Sequence, residues 1–287
     1  MTPMMLLFAL GTSPDALASR GPVLSNDCPP GGCLIDAPIG KVSIKMRHPE
    51  GDRVLDKALN DPNFWKEASS TKYDKEGYDE IRLLGTDTGY VPMITGQGNE
   101  DFPNEIVADI VYKRNTDLPK FMSGAEAVVN LGAGYDSVTG AEYRDTFYVL
   151  DFTLFYGFFP QRMYRKYDEN RKMWIMWFEK LDSSFVDGGT WLSYQQKMTK
   201  TKENIKRRWL FNSYTEVSDV YGMFVVAPGE NHTSRVTFVS KVTFDKGAGF
   251  IARAGSQMPS VIRSGLKAGF DGCVAIARDE KKRRSGQ

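Results

Sequence analysis

The side chains able to do chemistry are few and scattered. The chain has two histidines, His48 in a polar stretch and His232 in the loop Asn231-His232-Thr233. Neither falls in a segment that reads as regular structure, and a histidine relay or a zinc site needs an imidazole fixed against partners. Of three cysteines, Cys28 and Cys33 lie in the turn-forming stretch CPPGGC. In an oxidising compartment they would form a local disulfide. A metal or redox pair is the alternative, but no second Cys or His cluster accompanies it. Cys273 falls in an apolar helical pattern and reads as a buried, inert thiol. Gly132-Ala133-Gly134 lacks the Lys that a phosphate loop needs. Asp74, Glu76, Asp79 and Glu80 read as surface charges, while Asp151 interrupts an apolar strand and is either solvated or paired. No metal and no cofactor is expected.

Aromatic residues are the informative excess, at 12% of 287 residues. They favour strands and carry large apolar area, as a large core or a lined cavity requires. The net charge of +1 lacks the basic footprint of a nucleic-acid binder. The run Arg278, Lys281, Lys282, Arg283, Arg284 reads as a solvated helix end.

The elements that must position these groups follow from periodicity. Residues 52–68 read as one or two short helical turns, and 88–98 as a strand. Pro103 opens a helix carrying Ile106, Val107, Ile110 and Val111, and a second short helix is expected over Lys120 to Val129. About six antiparallel strands are then expected. They include Tyr148-Leu150-Phe152-Leu154-Tyr156, Met173 to Phe178, Leu192-Tyr194-Met198, Trp209 to Ser213, Tyr221 to Val226, and Val236 to Phe244. From Pro259 to about Arg283 the period returns to that of a helix, with Gly265, Gly269 and Gly272 on it. Those glycines mark either a close approach to the sheet or room for a ligand. A sheet with one apolar face must be covered, and the terminal helix is the obvious cover.

This order resembles the START domain of the helix-grip superfamily. The likeness rests on Gly96-Gln97-Gly98 before Pro103-Asn104-Glu105-Ile106-Val107, on Phe158-Phe159-Pro160-Gln161-Arg162, and on Arg235 to Val239 followed by Met258-Pro259. Arg162-Met163 departs from the usual Arg-Asp. The resemblance implies an α+β helix-grip fold, a curved antiparallel sheet wrapped around a long C-terminal helix. It also implies a cavity that binds and shields, or transfers, a lipid or sterol. The expected lining is Tyr148, Leu150, Phe152 and Trp174 from the sheet and Ile262, Leu266 and Phe270 from the helix. Phe185 and Val186, expected in an exposed hairpin loop, would touch a membrane during loading. Some superfamily members are cyclases or hydrolases, so an enzyme acting on an aromatic or polyketide-like substrate is the alternative, with Asp151 or Arg162 as first candidates.

Residues 1–18 read as a possible signal peptide, with MMLLFAL before Ala16-Leu17-Ala18. Residues 19–50 read as an extended lead-in and 51–284 as the START-like domain. A secreted, periplasmic or secretory-pathway location is expected, with a cytoplasmic one as the alternative.

Overall fold

Alternation of apolar and polar residues puts one face of each strand against a core, and neighbouring strands must then share that face. The computed structural model describes residues 44–62, 64, 77–86, 89–97, 103–151, 156–205, 214–229, 233–244 and 259–286. Its strands are β1 (Gly77–Thr86), β2 (Gly89–Gln97), β3 (Ala125–Asp136), β4 (Ala141–Asp151), β5 (Tyr156–Asp168), β6 (Met173–Lys180), β7 (Tyr214–Pro228) and β8 (Ser234–Phe244). They form one sheet in the order β1-β2-β8-β7-β6-β5-β4-β3, antiparallel throughout that order. A short parallel pairing joins the start of β5 to the start of β7. The helices are α1 (Pro49–Leu59), α2 (Asn104–Lys113), α3 (Leu118–Phe121), α4 (Gly188–Asn204) and α5 (Pro259–Ser285). This is the helix-grip arrangement. Helix α5 touches β1 and β2 near one edge of the sheet and rests on α2 and α3, and α3 contacts β3 at the other edge.

Several expectations are corrected. The segment Leu192-Tyr194-Met198 is helix, not strand. Asp187 caps it, accepting from the backbone N–H and the hydroxyl of Thr190, and Trp191, Tyr194 and Met198 follow at helical steps of three and four. The helix expected over Lys120 to Val129 ends at Phe121. Gly124 takes φ +96°, which only glycine adopts readily, and the turn there releases the chain into β3. Strand β1 was not expected, and Asp79 and Glu80 fall within it. The strand expected over Trp209 to Ser213 lies outside the described residues, as do Cys28, Cys33, the leader and His232. On α5, Gly272 does mark a close approach, but to α3: an added Cβ would stand 3.0 Å from Met122 Cβ.

The sheet has two differently furnished faces. On the outer face, α1 and the segment from Ile44 to His48 cover Tyr164, Ile175, Trp177, Met223 and Val225, all nearly inaccessible. Trp177 Nε1 donates to Lys45 O at 3.1 Å. His48 stacks on Tyr221 with ring centroids 4.8 Å apart, and its Nε2 stands 2.8 Å from Asp219. Its backbone N–H donates to buried Glu179.

That clip is pH-sensitive. The bond to Asp219 holds the His48 pKa above its ordinary 6.5, and burial raises that of Glu179. A raised folded-state pKa gives stability that is full below the unfolded value and is lost as pH rises through the folded value. The urea midpoint is therefore expected to fall as pH rises from about 6 to 8.5. His48→Gln should flatten the histidine part of that slope. A midpoint that rises over this range would contradict the assignment.

Candidate ligand-binding face

The inner face is built from alternate residues of adjacent strands. Val128 of β3, Tyr148 of β4, Phe159 and Met163 of β5, and Met176 and Phe178 of β6 form one cluster with Val226 of β7 and Val236 of β8. Ala108, Val111 and Tyr112 of α2 and Phe270 of α5 close on it. Tyr148 stacks on Phe159 at 5.3 Å between centroids. Phe224 stacks on Phe238 at 4.2 Å with the rings 9° from parallel, and Phe178 stands 5.9 and 6.2 Å from them. The sequence register makes this inevitable, because Phe224 and Phe238 are direct cross-strand partners.

The central strands β6, β7 and β8 are sealed on their outer face, where Met173, Ile175, Trp177, Met223, Val225 and Val239 are each no more than 3% exposed. On the inner face of the same strands Trp174, Phe224, Phe238 and Val242 are only partly buried, as are Cys273 and Val274 on the facing helix. Large apolar side chains in the middle of a sheet, facing a helix yet incompletely covered, make a surface suited to an apolar guest.

The C-terminal half of α5 is fixed by charge. Arg114 stands 2.7 Å from Asp117, 2.6 Å from Asp279 and 2.8 Å from Glu280, and Ile276 packs with Ile110. Helix α2 is tied to the sheet by Arg165, which bonds Glu142 and Asp109 at 2.7 Å each. Its guanidinium lies 4.4 Å from the Tyr112 ring centroid and 5.2 Å from that of Trp174, orienting both.

Among the described residues the inner face also carries buried polar side chains, Thr146, Gln161 and Ser240. Asn115, in the turn between α2 and α3, donates from Nδ2 to Tyr148 Oη at 2.9 Å and to Thr146 Oγ1 at 3.2 Å. Burial raises the Tyr148 hydroxyl well above its ordinary range, so it stays protonated. Desolvation pushes the Cys273 thiol up to about 12, which makes it a poor nucleophile. Among the described residues no group of three His, Cys, Asp or Glu could hold a metal.

Of the expected lining residues, the structure brings Tyr148, Leu150, Trp174 and Phe270 together in this one cluster. Phe152 lies outside the described residues. Ile262 and Leu266 fall on α5, but their side chains lie outside what is described. Phe178, Phe224, Phe238 and Val242 belong to the face as well. Their alternation marked them as inward-pointing without saying toward which of two cores. Asn115 carried no signal in the sequence.

Phe185 and Val186 are not at the rim of a hairpin. Phe185 ends a 3-10 turn (Ser183–Phe185) and Val186 follows it ahead of α4, and both pack, half-buried, on the outer face with Phe147, Val149 and Trp191. Phe185 is held beneath the guanidiniums of Arg47 at 4.4 Å and Arg162 at 5.3 Å. Arg162, the candidate for the catalytic alternative, also points to the outer face, where it is paired with Asp145.

No family model and no curated protein sequence matches the chain. Among solved structures it is similar to human STARD10, at 10% identity and a TM-score of 0.49 over 86% of this chain and 88% of that one. Human StAR-related lipid transfer protein 5 gives 11% identity and a TM-score of 0.46 over 82% and 96%. The Zhui aromatase/cyclase from a Streptomyces species gives 11% and 0.41 over 72% and 98%.

Proposed function

We propose that this chain binds an apolar, lipid-like molecule between the inner face of the sheet and the terminal helix, shielding it from water. The observation that carries this reading is the contrast between the two faces of β6, β7 and β8. The outer side is closed, whereas Trp174, Phe224, Phe238 and Val242 keep accessible apolar surface opposite Phe270 and Val274. Burying such surface against a guest is favourable by about 25 cal/mol per Å². The aromatic and aliphatic cluster agrees with an apolar ligand, as does the resemblance of the residue pattern to START domains.

The test is native mass spectrometry of the purified full chain, organic extraction of what accompanies it, and uptake of the apolar dye Nile red. A co-purified lipid at one per chain, or saturable dye uptake displaced by long-chain lipids, is expected. Phe238→Asp places a charge on the face and should weaken dye uptake by more than about tenfold, since an unpaired carboxylate there is costly to desolvate. Circular dichroism confirms that the variant is folded. A chain that carries nothing and takes up neither dye nor lipid has a filled core, and the proposal fails.

A further inference from the structure

Asn115 is 4% exposed. Its Nδ2 is used twice, on Tyr148 and Thr146, but its Oδ1 is buried and accepts no hydrogen bond. Leaving such an acceptor unmet costs about as much as losing a hydrogen bond, and native proteins rarely do so without a reason. Thr146 and Tyr148 project from the same side of β4 as Leu150, into the apolar face described above. Tyr148 Oη accepts from Asn115, and no bond donated by its own O–H is present among the described residues. Asn115 Oδ1, an open acceptor, and the open Tyr148 O–H therefore stand on hydrogen-bonded neighbours, beside the Thr146 O–H, which likewise donates no bond among the described residues.

Each candidate head group meets that pair differently. A hydroxyl donates to Asn115 Oδ1 and accepts from the Tyr148 O–H at once. A carboxylate has no proton for Oδ1, and a hydrocarbon satisfies neither atom. Arg144 lies on the same side of β4, where its Nη1 donates to Lys113 O at 3.0 Å and its Nε is unpaired. An anionic head group is thus the competitor that an experiment must separate.

We infer that Asn115 and Tyr148 form the polar end of the ligand face and recognise a neutral hydroxyl on an otherwise apolar molecule. This rests on the proposal that the face takes an apolar ligand.

The test compares dodecanol, dodecane and dodecanoate as competitors of Nile red on the full chain. Dodecanol is expected to bind about tenfold more tightly than dodecane, the worth of meeting one buried polar group. Asn115→Leu should reduce that advantage to about threefold or less. Tyr148→Phe, which keeps the ring and its stack on Phe159, should do the same. If Asn115→Leu does not fold, Tyr148→Phe and the ranking by the unaltered chain decide. Equal binding of dodecanol and dodecane, tighter binding of dodecanoate, or an advantage untouched in both variants overturns the inference and leaves the apolar-ligand reading standing. Failure of the dye and all three competitors to bind sinks that broader reading, and this inference with it.

Discussion

Asp145→Ala is expected to destabilise the fold by about 3–5 kcal/mol, the cost of leaving a buried charge without its partner. Asp145 and Arg162 are direct cross-strand neighbours on β4 and β5. Arg162 Nε donates to Oδ1 and Nη2 to Oδ2, both at 2.7 Å, with the side chains 3% and 0% exposed. Tyr194 of α4 donates to the same carboxylate at 3.1 Å, and the guanidinium lies 3.7 Å from the Tyr143 ring centroid. With the carboxylate gone, the guanidinium would keep its desolvation and lose its compensation.

Arg162→Met should cost a similar amount, because it strands the carboxylate instead. The double variant Asp145→Leu, Arg162→Met should recover most of the loss, since a well-packed apolar pair often replaces a buried ion pair with little penalty. Urea denaturation of the four chains gives the coupling directly. Losses below about 1 kcal/mol in both single variants would show that water reaches the pair. Because the pair sits on the outer face, Nile red uptake per folded molecule should not change in the double variant. Loss of uptake there would instead implicate Arg162 in the site, as the catalytic alternative requires.

Gly222→Ala is the second large effect. On β7, Gly222 lies opposite Phe178 of β6 and Ser240 of β8. An added Cβ would stand 2.1 Å from Val239 O, 2.4 Å from Phe178 Cζ and 2.9 Å from Ser240 Cα. Two of the three are backbone atoms of a paired strand and can yield only if the pairing opens. A loss of about 3 kcal/mol in unfolding free energy, the upper range for overpacking, is expected from urea denaturation.

Gly132→Ala makes the contrast. Its Cβ would also meet an atom at 2.1 Å, but that atom is Tyr194 Oη, the far end of a side chain. Moving it sacrifices the bond to Asp145, about 1 kcal/mol. The two variants should also differ in function. Gly222→Ala displaces Phe178, which stands beside Phe224 and Phe238, so uptake should fall. Gly132 faces α4, so uptake should hold. Equal and small effects from both would mean that β7 and β8 are looser than their register implies.

The strands that mattered most could be read from the chain itself. Val236 to Phe244 alternates cleanly because one side of β8 meets the helices and the other meets the outer core. The terminal helix was equally clear, from Pro259 at its start to apolar residues at steps of three and four. Those two signals, with the apolar runs at 148–156 and 173–178, sufficed for an antiparallel sheet covered by a terminal helix, and the resemblance to START domains implied the helix-grip fold with Tyr148, Leu150, Trp174 and Phe270 as neighbours on one face. They did not suffice for α4, because Leu192, Tyr194 and Met198 fit a strand's period of two and Trp191, Tyr194 and Met198 fit a helix. Only the Asp187 cap and the sheet surface beneath Tyr194 decided between them.

What only the tertiary structure decided was which of two faces each inward residue joins. Alternation separates the two sides of a strand, but both sides of this sheet are apolar and both face other elements, so Phe147 and Tyr148 look alike in sequence. The same ambiguity left open which side Phe185 and Arg162 join. Each makes its decisive contact, with Arg47 or Asp145, across a distance in sequence that no local pattern spans. Asn115 is the extreme case. A polar residue in a polar turn says nothing by itself, and its significance arises only when the fold seals it against Tyr148 and Thr146 and leaves one oxygen without a donor.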